Sequence, residues 1–290
     1  MRNDILKKGL VLGILLLFVT GGIVSALNAI PSNNSKSTSL SDVFYPTDDT
    51  MLDKGSSNPD SPDGSYLFMI IRNTYGSGGN DIFEADGLVK FDLSLLHNVL
   101  ISSAKLYLYY YEWGDNNPSG RPLNLYRITS DWNEDTATWN NQPTYAPQPT
   151  TSATVPSTYG WMSWNVTSDV QFFINSQANN YGWKITDGTY WGDIDIPQIV
   201  FRTKEYGSLI PYLEIQIAPP SIVYVDDNFD SSTSGWGYDH FNVIQDGINA
   251  VSEGGTVYVY SGTYYENIVI NRDSINLIGE DKEYGLNPFE

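Results

Sequence analysis

From Asp42 onward, apolar and polar residues alternate over short stretches divided by Gly, Pro, Asp and Asn. Gly87 to Leu93 sets Val89, Phe91 and Leu93 on one side and Lys90 and Asp92 on the other, the period of two that marks a half-buried strand. Ala104 to Trp113 sets Leu106 and Leu108 against Tyr107, Tyr109, Tyr111 and Trp113. Tyr66 to Arg72 is apolar on both faces and predicts a buried strand. Shorter runs at Val43 to Tyr45, Leu123 to Thr129, Trp161 to Val166, Tyr181 to Ile185, Gln198 to Thr203 and Tyr212 to Ile217 complete the set. Between them, Gln142 to Pro156 is Pro/Thr-rich and is expected to be irregular. One helix interrupts the strands: Ser168 to Gln171 matches a capping box, and Val170, Phe173 and Ile174 share a face from about Asp169 to Ser176. Many short strands with one helix predict an all-β sandwich or jelly roll.

The pattern changes after Ala218-Pro219-Pro220-Ser221, read as a stiff linker. Ile222 to Asp226 predicts a strand, and Phe241, Ile244, Ile248 and Val251 recur at helical spacing until Gly254-Gly255 stops the helix. Three short strand segments follow, at Thr256 to Tyr260, Asn267 to Ile270 and Ser274 to Ile278, spaced as successive sides of a coil.

The N-terminal segment stands apart. Arg2, Lys7 and Lys8 precede an apolar run from Gly9 to Val24 with small residues at Ser25 and Ala26, the form of a signal peptide over residues 1–26. An uncleaved membrane anchor is the alternative, because the run approaches the length of a span. Residues 27–41 are Ser/Asn/Thr-rich, carry the sequon Asn33-Asn34-Ser35, and read as a tether. The chain has no cysteine and a net charge of −19; without residues 1–26 it carries 12 basic against 33 acidic side chains, or −21. That balance argues against nucleic acid and anionic lipid as partners.

The chemistry-bearing stretch is Asp131 to Pro143, D-W-N-E-D-T-A-T-W-N-N-Q-P, a structured loop with two tryptophans and a set of amides and carboxylates. It is either a sugar-binding lip or the plug of a sandwich end. The face bearing Tyr107, Tyr109, Tyr111 and Trp113 is a candidate sugar platform, although alternating tyrosines on one strand are more often a second packed face of the sandwich. Lys90, Arg127 and Lys184 are scarce cations in an acidic domain; they anchor carboxylates of a uronate polymer or pair with internal groups such as Asp92. Asp48, Asp49, Asp53, Asp60 and Asp63 crowd one turn-rich stretch and are candidate calcium ligands, although Asp also favours turns and the spacing matches no EF-hand. Nucleophile, zincin and phosphate-loop motifs are absent, and His97 and His240 fall in different predicted domains, which argues against a catalytic apparatus.

Seven segments in order resemble the DNRLRE-type domains, also classed as family 96 carbohydrate-binding modules and found in disaggregatase-related surface proteins. They are T-D-D-T-M-L-D (47–53), G-L-V-K-F-D-L-S (87–94), S-A-K-L-Y-L-Y-Y (103–110), the loop 131–143, W-N-V-T-S-D-V (164–170), N-N-Y-G-W-K-I (179–185), and F-R-T-K-E (201–205) with P-Y-L-E-I (211–215). The resemblance implies a jelly-roll-like β-sandwich over 42–217 that binds polysaccharide, acidic polymers included. With it, the loop reads as a folding signature in which Trp139 is an end plug held by Asn140 and Asn141, and Trp132 is the exposed, sugar-contacting ring.

Residues 240–281, from H-F-N-V-I-Q-D-G-I-N-A-V to I-N-L-I-G-E-D, are similar to the start of pectin lyase-like right-handed parallel β-helices. That resemblance implies a capping helix and first coils over 222–290, with Ile268, Ile270, Ile275 and Leu277 stacked inside and any active site on later coils. The expectation is an exported or cell-surface polysaccharide-binding protein, non-catalytic as given. Its rivals are a truncated polysaccharide lyase or hydrolase and a structural or adhesive surface-layer protein.

Overall fold

The fold comes from a computed structural model that describes residues 40–55, 59–73, 84–96, 98–189, 197–270 and 274–280. The expected signal, residues 27–39 of the tether with its sequon, and His97 lie outside them, whereas Leu40 and Ser41, expected as the end of the tether, belong to a strand. Among the described residues no helix is long and apolar enough to cross a membrane.

The first eleven strands are β1 (Leu40–Phe44), β2 (Pro46–Asp53), β3 (Phe68–Ile71), β4 (Ala85–Phe91), β5 (Ile101–Gly114), β6 (Pro122–Arg127), β7 (Thr151–Thr154), β8 (Gly160–Asn165), β9 (Trp183–Thr186), β10 (Gln198–Arg202) and β11 (Tyr212–Ile217). Helix α1 (Thr167–Ile174) lies between β8 and β9. These strands form two antiparallel sheets. One runs β1-β11-β5-β10-β3 with β8 also on β5, and the other runs β2-β4-β9-β6-β7. The inward residues of both, such as Leu106, Leu108 and Phe201 from one and Val89, Leu125 and Trp183 from the other, merge into one buried core. This is the expected all-β sandwich. Two local expectations fail. The stretch after the 131–143 loop is not wholly irregular, because Thr151–Thr154 pairs with β6 as an edge strand. The capping box does not form: α1 begins at Thr167, and its first N–H is met by Asn165 Oδ1 at 3.1 Å.

β5 organises its sheet. Lys105 and Tyr107 pair with β8 on one edge and β11 on the other, and Tyr110 pairs with Gly160 of β8 and Phe201 of β10. β10 and β11 therefore run end to end along a single edge of β5, and residues 203–211 leave the edge between them. A bulge accompanies this arrangement, since the β10 register shifts between Val200, opposite Glu112, and Phe201, opposite Tyr110.

The second segment contains β12 (Ile222–Val225), β13 (His240–Phe241), α2 (Ile244–Ala250), β14 (Thr256–Val259) and β15 (Asn276–Gly279). Its sheet, in the order β13-β12-β14-β15, is parallel throughout and in register: Tyr224 is opposite His240 and Tyr258, and Tyr258 is opposite Ile278. Val223, Val225 and Val257 face α2 and form a small core with Ile244, Ile248 and Val251. The approach is close enough that a Cβ on Gly247 would lie 2.8 Å from Val225 Cγ2. Asn267 to Ile270 forms no strand, and Ile268, Ile270 and Leu277 are exposed rather than stacked inside, while Ile275 packs partly against the segment's core. The linker is held: Tyr238 Oη donates to Ala218 O at 3.1 Å and accepts from Leu100 N at 3.2 Å.

Candidate functional site

The outward residues of β5, β8 and β11 build a continuous aromatic face. Period two places Tyr107 and Tyr109 outward between buried Leu106, Leu108 and Tyr110. Tyr107 stacks on Tyr212, its cross-strand partner, with ring centroids 4.5 Å apart and planes 11° from parallel. Trp161, opposite Tyr109, meets Tyr109 edge-on at 5.2 Å and Tyr212 at 4.8 Å. Trp161 remains 39% exposed, so the rings pack on one another and still present apolar surface to solvent. At one end the Arg202 guanidinium covers Tyr206 at 3.8 Å and reaches Tyr109 at 5.0 Å and Tyr111 at 5.5 Å. Arg202 donates through Nη1 to Ser208 O at 3.2 Å, and its buried Nε has no acceptor.

Burial and then the Glu214 carboxylate, which accepts from Tyr107 Oη at 3.1 Å, hold the Tyr107 phenol above its ordinary range. Burial and Glu214 act the same way on Tyr212. Both phenols therefore remain neutral donors at physiological pH.

Of the sequence-predicted sugar contacts, Tyr107 and Tyr109 lie together on this face, with Tyr111 at its Arg202 end. Trp113 is separated from them by the bulge: it lies opposite core-facing Ile199, so the extra residue has moved it off the tyrosine side. Trp132 is a correction. It is 7% exposed, donates Nε1–H to Tyr181 O at 2.7 Å, and lies beneath Lys90, whose Nζ is 5.0 Å from the ring centroid. Leu52, Leu88, Ile128 and Ala137 complete its pocket. Trp139, expected as the plug, is the half-buried ring, with Lys54 Nζ 5.5 Å from its centroid. Asn140 instead donates to Asp60 Oδ1, and Asn141 accepts from the Thr138 N–H.

The three cations are engaged internally. Lys90 pairs with Asp48 at 3.2 Å and donates to Trp132 O. Arg127 pairs with Asp169 at 3.6 Å and covers Phe172. Lys184, 3% exposed, pairs with Asp86 at 2.8 Å and donates to Gln142 Oε1. Burial raises Asp86 to about 6 even against the pull of Lys184. The sequence reading missed Trp161, Arg202, Tyr206 and Tyr212 as site residues. The alternation in G-W-M-S-W-N and Y-L-E-I-Q-I marked Trp161 and Tyr212 as outward, whereas nothing local marked Arg202 or Tyr206, which depend on the 203–211 excursion.

The five candidate calcium ligands are not gathered. Asp48 pairs with Lys90, Asp53 Oδ1 accepts from Gly55 N, Asp60 accepts from Asn140, and Asp63 is buried, its carboxyl raised to about 6 by burial and Asp53. Asp49 joins a different group, in which carboxylate oxygens of Asp49, Glu134 and Glu205 lie within 4.8 Å of one another. Asp49 N donates to Glu134 Oε2 at 3.0 Å, Lys204 N donates to Asp49 Oδ2 at 2.8 Å, and Lys204 Nζ meets Glu134 and Glu205. Asp49 Oδ1 and Glu205 Oε2 are buried without partners. Burial, then Glu205, pushes the Asp49 carboxyl up to about 8.

The family model of carbohydrate-binding module family 96 matches residues 41–217, the whole sandwich and more than half of the chain. No curated protein matches the chain.

Proposed function

Because the chain belongs to carbohydrate-binding module family 96, we propose that it is an exported polysaccharide-binding protein whose ligand lies across the Tyr107–Tyr212–Trp161–Tyr109 face. The observation that supports this reading is the contiguity of those rings, exposed at Trp161 and ending in Arg202. Sugar rings present polarised C–H groups to the electron-rich faces of aromatic rings, and a stacked, pre-ordered set loses little entropy on binding. The Arg202 cation favours a uronate-containing polymer, since a guanidinium suits a carboxylate and Lys90, Arg127 and Lys184 are occupied. Affinity electrophoresis against a polysaccharide panel tests this. Trp161→Ala should weaken uronate binding about tenfold or more while the chain stays folded, and Arg202→Gln should reduce uronate retention selectively. Unaltered retention in both would end the proposal.

The second segment is proposed as the first coils of a parallel β-helix, supported by the in-register parallel pairing of β12, β14 and β15. Unprotected amides at Tyr260, Asn276 and Glu280 in hydrogen exchange would remove that reading. Export is supported by the basic-then-apolar N-terminal sequence. An exported protein whose N-terminus precedes Ala26 would contradict cleavage. For calcium, Lys204 already meets two of the three clustered carboxylates, and the geometry favours an ion-pair staple with a proton between Asp49 and Glu205. Saturable calcium uptake in calorimetry at pH 8 would overturn that staple in favour of a metal.

A further inference from the structure

The parallel sheet of the second segment has one face packed on α2, and its other face is lined with rings. Parallel sheets are ordinarily covered on both faces. Strand register puts one side chain from each rung into a row, His240, Tyr224, Tyr258 and Ile278, running across the strands. The Tyr224 ring is 5.1 Å from His240 and 6.4 Å from Tyr258. These steps are close to the length of one pyranose unit along a glycan chain, as the strand spacing of about 4.8 Å dictates.

Continuing the register by two residues, back onto the same face, gives a second row, Asp226, Tyr260 and Glu280, beside the first. Tyr260 stacks near-parallel on Tyr224 at 6.2 Å and meets Tyr258 edge-on at 5.1 Å. Burial and the neighbouring phenols and carboxylates hold the Tyr260 phenol above its ordinary range, so it stays a donor between two acceptors. Charge identifies the occupant. From 218 to 280 the sequence carries nine carboxylates against a single arginine, Arg272. A polyanion would meet repulsion here, whereas hydroxyl groups find acceptors and pyranose faces find rings.

We infer that this face is a second glycan-binding surface that takes a neutral polysaccharide chain laid across the strands, with the His240–Tyr224–Tyr258 row beneath the sugar rings and the Asp226–Tyr260–Glu280 row accepting and donating to hydroxyls. It lies outside the residues matched by the module family and does not depend on the reading of the sandwich face.

The test uses the full chain in affinity electrophoresis with hydroxyethylcellulose and galactomannan as neutral probes and alginate and polygalacturonate as anionic ones. With Trp161→Ala in place to disable the sandwich face, a neutral probe should still retard the chain. Adding Tyr260→Ala or Tyr258→Ala should weaken that retardation at least fivefold without altering uronate retention in the otherwise unmodified chain. Hydrogen exchange in the unmodified chain gives a readout independent of any variant: residues 256–260 should slow on adding the neutral probe and not on adding alginate. Loss of neutral-probe binding on Trp161→Ala alone, unchanged retention in both tyrosine variants at unaltered melting temperature, or exchange at 256–260 that no neutral probe slows, each overturns the inference. Failure of the sandwich reading would appear separately, as uronate retention indifferent to Trp161→Ala and Arg202→Gln.

Discussion

Asp49 Oδ2 accepts a hydrogen bond from the Lys204 N–H at 2.8 Å, joining positions 155 residues apart in sequence. The bond ties β2 to the excursion that interrupts the shared edge of β10 and β11. Glu134 from the Asp131 to Pro143 loop closes the link through Asp49 N and Lys204 Nζ. The Lys204 ammonium is held above its ordinary range: burial opposes its charge, and hydrogen bonds to Glu134 and Glu205 outweigh that cost. Because Tyr206 follows within the same turn and stacks under Arg202, the staple also positions one end of the aromatic face.

Asp49 makes stability depend on pH. Its carboxyl is at about 8 in the folded chain against 3.8 when unperturbed, so between these values the folded state holds a proton that the unfolded state has released. The contribution is fully present below the unfolded value and is lost as pH rises toward the folded one. Asp63 and Asp86, raised to about 6, act with the same sign at lower pH, so the interval from 6 to 8 isolates Asp49. Melting temperature should fall across that interval, by at most about 1.4 kcal/mol, or roughly 2–4 °C, per pH unit. Asp49→Asn should flatten the profile; a wild-type melting temperature that rises from pH 6 to 8 would contradict the assignment.

The two loop tryptophans should respond unequally. Trp132 fills a pocket between Leu52, Leu88 and Ile128 and satisfies its N–H on Tyr181 O, so Trp132→Ala should cost about 3–5 kcal/mol and uncover Lys90. Half-buried Trp139 loses less, about 1–2 kcal/mol on replacement by alanine. Urea unfolding of both variants checks the order, and equal midpoints would show that the loop repacks.

Much of this architecture was legible in alternation. The alternation predicts β11 over Tyr212–Ile217, the span it occupies, and puts the leucines and tyrosines of β5 on opposite faces, because period two is a local property of the backbone. What escaped the sequence depends on distant partners. Which of Trp132 and Trp139 is buried is decided by Tyr181 and Lys90, neither of which is local to the loop. The displacement of Trp113 follows from a register shift against β10, nearly ninety residues away. Lys90 and Lys184 looked available in sequence, and each is neutralised by an acidic residue of the sheet that holds it: Asp48 lies opposite Lys90, and Asp86 on β4 pairs with Lys184 on β9.

The Lys184–Asp86 pair is buried on both sides, so removing one partner strands a charge. Lys184→Met should cost about 3–5 kcal/mol, and adding Asp86→Leu should restore a large part of it. A double-mutant cycle by urea unfolding measures the coupling; strict additivity would mean that Asp86 finds water or another partner.

Gly182 and Gly207 separate backbone strain from crowding. Their φ values are nearly equal, +77° and +79°, so alanine pays the same left-handed cost of about 1 kcal/mol at each. Their surroundings differ. A Cβ on Gly182 would lie 2.0 Å from Val89 O, between β4 and the start of β9, whereas nothing stands within 4 Å at Gly207. Gly182→Ala must therefore push β9 away from β4, loosening Trp183 from Phe91, whose ring lies 6.2 Å away across the core. The expected loss is about 3 kcal/mol or more for Gly182→Ala against about 1 kcal/mol for Gly207→Ala, read from urea midpoints. Equal losses would mean that the β4–β9 pairing yields at little cost and that strain alone sets both values.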